Sequence, residues 1–434
     1  MQSKNQGFRK NSINLSPQSS QIWYTSVDML DIQFIRENPE KVRDGITKKG
    51  YDPKLVDKVL AIDVKRKELL QKVEELRRSR NETAKKRDAT AGSKIKASLQ
   101  KLEPELERLT RQFTTQAYQI PNLPHSDVPV GKGESENKVV KEGKPTEFEF
   151  TPLDHVKLGK NLDIIDFESG AKVAGSGFYY LKNDGVLLEL ALVRYGLDFL
   201  QKKGWDILIT PDLAHEKFYI GTGYLPRGPE AQTYTIADSD LGLIATAEVT
   251  LAGLHSDEIL EKLPKKYCGY SHCFRVESGS YGKYSKGLYR VHQFTKVEMF
   301  VYAEPSESEK IHEELLKIEE DFWKSLEIPY RVIKMCTGDL GAQAVRKFDL
   351  EAWMPGRGTW GEVTSTSNTT DYQARRLGIR YRKSGGTEYV HTLNGTLVAT
   401  PRAIIAILEN FQQKDGSVII PKILQSYIGK DKIS

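Results

Sequence analysis

The hydrophobic positions of this chain change their spacing along its length. From about Asp52 onward, Leu55, Val59, Ile62, Leu69, Val73 and Leu76 recur at three- and four-residue steps amid dense charge. That spacing predicts an amphipathic helix with a narrow apolar stripe. The stripe fades at RDATAGSK, residues 87–94, whose small and polar residues suit a hairpin tip. It resumes as Ile95, Leu99, Leu102, Leu106, Leu109 and Phe113. Two such stripes facing one another across a turn predict an antiparallel coiled-coil hairpin, with arms of about 25–30 residues, or roughly 40 Å. Pro104 removes a backbone donor within the second helix and predicts a kink or a split there.

Ahead of the hairpin, LDIQFIRENPEKVRDGITKKG reads as short helical structure ending at Gly50. Residues 1–28 are rich in Ser, Gln and Asn, hold no acid before Asp28, and show neither period; they are expected to be a disordered leader or extension. Beyond the hairpin, PNLPHSDVPVGKGESENK is turn-rich and polar and reads as a linker. Strand-like runs and helices then alternate to the end, among them WDILITP, YCGYSHCFRVE, YRVHQFTKVEMFVYAE and the helix PRAIIAILENFQQ. Several strand pairs are joined by short loops, which favours an antiparallel sheet with flanking helices, an α+β fold. The division expected is therefore 1–28, a helical domain at 29–120, a linker at 121–140 and a main domain at 141–434.

Composition narrows the class. At 38% hydrophobic and 28% charged residues the chain reads as globular, and no apolar run is long enough to span a bilayer. Cys268, Cys273 and Cys336 form no CxxC pair and no zinc-like spacing with histidine, so zinc is not expected and a reducing compartment is. The cytoplasm fits, with an organellar matrix as the alternative if residues 1–28 are a transit peptide. Residues 63–120 carry 15 Lys and Arg against 9 Asp and Glu, an excess of six against +5 for the whole chain. The hairpin is thus either a phosphate-binding arm or a merely solvated charged helix pair.

Three segments could carry chemistry. In FRVE, strand alternation puts Arg275 and Glu277 on one face, where they could hold a phosphate and an adenine amino group or simply form an ion pair. In NGTLVATPRAIIAILEN, Pro401 suits the first helical turn. Arg402 would then lie near a helix N-terminus, suited to phosphate, or be an ordinary exposed arginine. Between them, Glu362, Ser365 and Asn368 cluster in a polar run that reads as too short for a core strand. Carboxylate and hydroxyl oxygens together suit a hard cation such as Mg²⁺, and a capped loop is the plainer alternative.

Taken together these segments closely resemble the seryl-tRNA synthetases, members of the class II aminoacyl-tRNA synthetases. FRVE followed by GLYRVHQF looks like the second class-defining motif, NGTLVATPRAIIAILEN like the third, and KKGWDILITPDL like the first, which lies at the dimer interface. TAEVTLAGLH, TWGEVTSTSNTTDYQARR and the basic hairpin are similar to the seryl branch in particular. The resemblance implies an antiparallel catalytic sheet of six to seven strands preceded by the coiled-coil arm, and ATP-dependent ligation of L-serine to tRNA(Ser) through seryl-adenylate. It also implies tRNA(Sec) as a second substrate where one exists, a homodimer, and Mg²⁺ arriving with ATP. Carried over by position, Arg275 and Arg402 are the catalytic arginines. ATP would lie against Arg275, Val276, Glu277, Val291, His292, Gln293, Phe294, Glu362, Val363, Thr364, Ser365 and Arg402, with Mg²⁺ on Glu362 and Ser365. Serine would lie against Thr246, Ala247, Glu248, Arg275, Glu298 and Thr396, the last replacing the serine that the family often has there. The KYSKG loop, residues 283–287, is expected to meet the tRNA acceptor end.

Overall fold

The computed structural model describes residues 30–224, 233–277 and 285–434. The expected leader at 1–28 and the start of KYSKG lie outside them. The chain divides into two compact units, residues 59–116 in one and 30–58 with 117–434 in the other.

The first unit is the predicted hairpin, cut from helices α3 (Lys54–Lys86) and α4 (Ala89–Ala117). Leu69, Val73, Leu99, Leu109 and Phe113 are buried along the seam. Arg66 lies 4.6 Å from the Phe113 ring centroid, and Arg77 bridges Glu103 at 2.9 Å. Two expectations need correction. The tip is only Arg87, at φ 57°, and Asp88, because the Asp88 carboxylate accepts from the amides of Thr90 and Ala91 and starts α4 at once. Nor does Pro104 split α4. It sits on the exposed side of the helix, where solvent can take the carbonyl it leaves unpaired.

The second unit opens with α1 (Ile32–Glu37) and α2 (Pro39–Lys48), closed by Gly50 at φ 82° as the sequence predicts. Lys49 is buried there, its Nζ donating to the carbonyls of Asn122 (3.0 Å), Ala342 (3.2 Å) and Ala344 (2.9 Å). Burial pulls its pKa down to about 7. The turn-rich stretch after α4 is irregular, but it is laid against the body rather than spanning a gap. Asn122 Nδ2 donates to the Thr369 carbonyl at 2.7 Å, and the amides of Thr337 and Gly338 bond to the carbonyls of Pro129 and Gly131.

The central sheet has eight strands rather than six or seven: β1 (Lys138–Glu142), β2 (Asp206–Ile209), β3 (Lys265–Phe274), β4 (Gln293–Ala303), β5 (Tyr330–Lys334), β6 (Arg346–Met354), β7 (Thr359–Thr370) and β8 (His391–Ala399). Their order is β1-β5-β6-β7-β8-β4-β3-β2, and every pair is antiparallel except β2–β3. The polar run through Glu362, Ser365 and Asn368 is a central strand, not a loop. Buried hydroxyls on it find partners, Thr366 donating to the Asn394 carbonyl at 2.9 Å and Thr364 to Glu319 Oε2 at 2.9 Å.

The sheet's two faces do different work. Val297, Met299 and Val301 of β4 join a core with α5 (Asp184–Gln201), α6 (Ser308–Ser325) and α7 (Thr400–Asn410), each large apolar side chain contributing about 1.5–3 kcal/mol by burial. On the other face of β4, Phe300 and Tyr302 pack with Leu251, Ala374 and Leu377. Lys296 and Glu298, their neighbours on that face, are buried as well but charged. That change from apolar to charged along one strand face marks the floor of the site.

Candidate active site

A cavity of about 540 Å³ opens over the charged half of β4 and extends across β8 and β7. Two β-bulges shape it. Between β4 and β8, Val297 pairs with Val398 but Glu298 pairs with Thr396, so Leu397 is an extra residue and drops into the core. Thr396 thereby comes to lie opposite Glu298, its Oγ1 donating to Glu298 Oε2 at 3.1 Å. Between β6 and β7, Leu350 pairs with Thr364 while Glu351 pairs with Glu362, which makes Val363 the extra residue. Asp349 and Glu351 share a face, and so, across from them, do Ser365 and Glu362. Strict alternation would have put Glu362 and Ser365, three apart, on opposite sides.

The floor is a bonded set of charged and hydroxyl groups. Lys296 Nζ reaches Glu298 Oε2 at 2.5 Å, Thr246 Oγ1 at 2.7 Å and Thr396 Oγ1 at 3.4 Å. Glu248, buried at the start of the short helix Glu248–Gly253, accepts from Gln373 (2.7 Å), Asn394 (2.8 Å) and Tyr224 (2.9 Å). Burial, and then the negative charge of Glu298, push its pKa up to about 7. Thr246 and Ala247 are buried immediately before it, and the Thr246 hydroxyl also accepts from the Glu248 amide at 3.2 Å.

At the far end, Arg402 sits in the first turn of α7, behind Pro401, as expected. Its Nη1 lies 3.1 Å from Glu362 Oε2 and 2.7 Å from the Glu362 carbonyl, and its guanidinium stands 4.6 Å from the Tyr289 ring centroid. Burial works against the Glu362 charge, yet Arg402 and Lys347 hold its pKa down at about 2. Across the strand, Asp349 pairs with Lys347 at 3.1 Å, and its burial raises its pKa to about 7.

FRVE departs from the alternating strand the sequence suggests. β3 ends at Phe274, and Glu277 adopts φ 51°. Glu277 pairs with Arg290 at 3.1 Å instead of standing beside Arg275 on a strand face. Arg275 lines the cavity with its guanidinium 5.1 Å from the Phe294 ring centroid and its Nε 3.4 Å from the Ala245 carbonyl. Val276 lies between them, half-buried. RVHQF is likewise strand only from Gln293 onward. Val291 and Phe294 line the cavity, whereas Gln293 is exposed. The His292 ring is stacked on Phe178 at 5.2 Å and hydrogen-bonded to Tyr234 at 2.7 Å.

This geometry has known relatives. Residues 29–124 match the seryl-tRNA synthetase N-terminal domain, and residues 234–411 match the tRNA synthetase class II core domain (G, H, P, S and T). The serine–tRNA ligase of Rubrobacter xylanophilus is 50% identical over 420 residues, covering 93% of this chain and 99% of the relative. The chain belongs to the seryl-tRNA synthetase family. Among solved structures, the seryl-tRNA synthetase of Pyrococcus horikoshii complexed with ATP superposes with a TM-score of 0.87 at 43% identity, over 93% of this chain and 99% of that one. The cytoplasmic serine–tRNA ligase of Naegleria fowleri in complex with AMP gives 0.83 at 35%, over 94% and 99%.

For a seryl-tRNA synthetase, the sequence reading left out several residues of the cavity, Lys296, Tyr224, Asn394 and Lys347, and Asp349, which pairs with Lys347. A signal for Lys296 was present. In QFTKVEMFVYA it is two residues from Glu298, so an otherwise apolar strand carries opposite charges on one face. Such a pair is expected to be buried and mutual, and losing one partner costs about 3–5 kcal/mol. Tyr224 and Asn394 gave none, since both reach the site only through the fold.

Proposed function

We propose the following division of labour for the reaction this chain catalyses, the ATP-dependent ligation of L-serine to tRNA(Ser) through seryl-adenylate. The serine ammonium group is taken by Glu248, with Thr246 and Ala247 shaping the wall before it. The serine hydroxyl goes to Glu298 and Thr396, the acceptor and hydroxyl that the β8 bulge sets opposite one another. Arg275 holds the α-phosphate beside the serine carboxylate and offsets charge as that carboxylate attacks. Arg402 grips the distal phosphates. The purine lies against Phe294 and Val291, near Glu277, while His292, Gln293 and Val276 shape this wall from behind. No general base is needed, because the nucleophile is already a carboxylate, and positioning supplies most of the rate.

Glu362 and Ser365 suit Mg²⁺. They offer one carboxylate and one hydroxyl on a common face, beside Val363 and Thr364 at the bulge. Among the described residues no three His, Cys, Asp or Glu side chains are grouped to hold a metal. Such a pair therefore fits an ion that keeps phosphate and water oxygens as its remaining ligands. When bound, Mg²⁺ would neutralise phosphate charge.

The basic hairpin is read as the tRNA arm, with tRNA(Sec) as a second substrate where a cell has one. A homodimer is proposed about the first-motif strand. Exposed Ile209 ends that strand at the sheet edge, and α5 exposes Leu187 and Leu190. The cytoplasm is the proposed compartment, since all three buried cysteines are free thiols. Among the described residues no helix is long and apolar enough to cross a membrane.

The observation that carries the reading is the Lys296–Glu298–Thr396 floor, a hydroxyl-recognising set within a cavity that also holds Arg275 and Arg402. A glycine or alanine substrate would leave its acceptor unpaired. ATP–pyrophosphate exchange with a panel of amino acids tests it. Serine alone should support exchange, with alanine and glycine at least about a thousandfold below it; equal exchange with alanine would refute the assignment.

A pH prediction follows from Glu248. Only its carboxylate form pairs with an ammonium group, and burial raises its pKa to about 7. Lowering the pH through 7 protonates it in the free enzyme, so the serine KM should rise toward tenfold per unit while the ATP KM stays level. A serine KM that is flat from pH 7.5 to 5.5 would contradict the role given to Glu248.

A further inference from the structure

We infer that Lys296 is a positioning residue that sets the discrimination of serine from alanine by fixing how Glu298 is presented to the substrate side chain. This rests on the reading that Glu298 receives the serine hydroxyl.

An ammonium group has three N–H bonds, and Lys296 has oxygens for all three: Glu298 Oε2 at 2.5 Å, Thr246 Oγ1 at 2.7 Å and Thr396 Oγ1 at 3.4 Å. It is 5% exposed, so water does not share the task. With its donors committed, Lys296 acts on the substrate through its neighbours.

Its effect on Glu298 is directional. Oε2 receives both Lys296 and the Thr396 hydroxyl, whereas among the described residues no hydrogen bond reaches Oε1. One oxygen is anchored and the other is left for a substrate donor. Lys296 also ties the two walls of the subsite together, because Thr246 precedes Glu248 in one segment and Thr396 belongs to β8. A hydroxyl-bearing substrate finds an acceptor already oriented, and a substrate without the hydroxyl leaves that acceptor buried and unpaired.

Without the ammonium the situation inverts. Glu298, 2% exposed and next to buried Glu248, would have no opposite charge in contact. It would turn to the threonine hydroxyls, or take up a proton and cease to be acceptor-only. Either way the unpaired acceptor that penalises alanine is gone. Serine affinity falls and the ratio of serine to alanine activity falls with it, while the ATP end of the cavity, built on Arg275, Phe294 and Arg402, is untouched.

The test is ATP–pyrophosphate exchange by the full-length wild type, Lys296→Ala and Lys296→Gln, with serine and alanine as substrates. For K296A the serine KM should rise at least tenfold, the ATP KM should stay within twofold, and the serine-to-alanine ratio of kcat/KM should drop at least tenfold. Added ethylammonium, which can enter the vacated volume and restore the charge, should recover the serine KM, and ethanol at the same concentration should not. K296Q keeps a donor but no charge, and it carries the test if K296A does not fold. The same drop in ratio for K296Q supports the proposal, and a wild-type ratio overturns it. So does an unchanged serine KM in K296A, or parallel rises in serine and ATP KM that signal general loosening. A wild type with no serine-dependent exchange would defeat the functional reading itself, a result distinct from an active wild type whose Lys296 variants are normal.

Discussion

Replacing Arg275 by alanine is expected to lower kcat/KM for serine-dependent pyrophosphate exchange about a thousandfold, the upper range for one donor aimed at developing charge. In the proposed site it is the cation at the junction of the two substrates, with the serine pocket on one side and the nucleotide pocket on the other. Its present contacts are slight, a 3.4 Å bond to the Ala245 carbonyl and the face of Phe294. The fold therefore gains little from Arg275, and the melting temperature of the variant should stay within a few degrees of wild type. The loss should fall mainly on kcat, because charge on the α-phosphate oxygens grows as the serine carboxylate adds to phosphorus, ahead of the departure of pyrophosphate with the bonding pair. Lysine should restore only part of the activity, since a point charge does not replace a planar donor fork. An R275A enzyme within tenfold of wild type would show that another group neutralises the phosphate.

Shortening the hairpin should separate the two half-reactions. Arg66 lies on Phe113, so a short glycine-rich turn joining these residues can replace 67–112 without stretching the chain. Every residue assigned to ATP or serine belongs to the other compact unit, so exchange should remain within about twofold. Charging of tRNA(Ser) should fall on the order of a thousandfold in kcat/KM, the lower range separating specific from non-specific nucleic-acid binding. The residual tRNA KM should depend less steeply on salt, because the removed segment carries much of the basic excess. Normal charging by the shortened enzyme would return the hairpin to the plainer reading of a solvated helix pair.

What the sequence made legible follows from how local each feature is. The hairpin seam was readable because a coiled coil repeats one contact along its length. Its tip was misread because Asp88 caps α4 by a side-chain bond that composition does not reveal. The α+β class and the order of motifs were plain, but the strand count was not, since β1 joins the sheet edge with every residue exposed. Around the cavity, several lining residues were legible as residue types and their arrangement was not. Leu397 and Val363 are ordinary apolar residues in sequence. As bulges they bring Thr396 opposite Glu298 and put Glu362 on the face of Ser365. A period of two cannot anticipate either, and the same rule wrongly set Glu277 beside Arg275. Glu248 needs Gln373, Asn394 and Tyr224, which approach it from three distant segments, so its raised pKa was invisible before the fold.

The most direct test of the account is aminoacylation of purified tRNA(Ser) by the wild-type chain with ATP, Mg²⁺ and labelled serine or alanine. Labelled serine should become acid-precipitable on tRNA(Ser) and not on an unrelated tRNA, and alanine should give no signal above background. Serine-dependent pyrophosphate exchange with no serine reaching tRNA(Ser) would contradict the account.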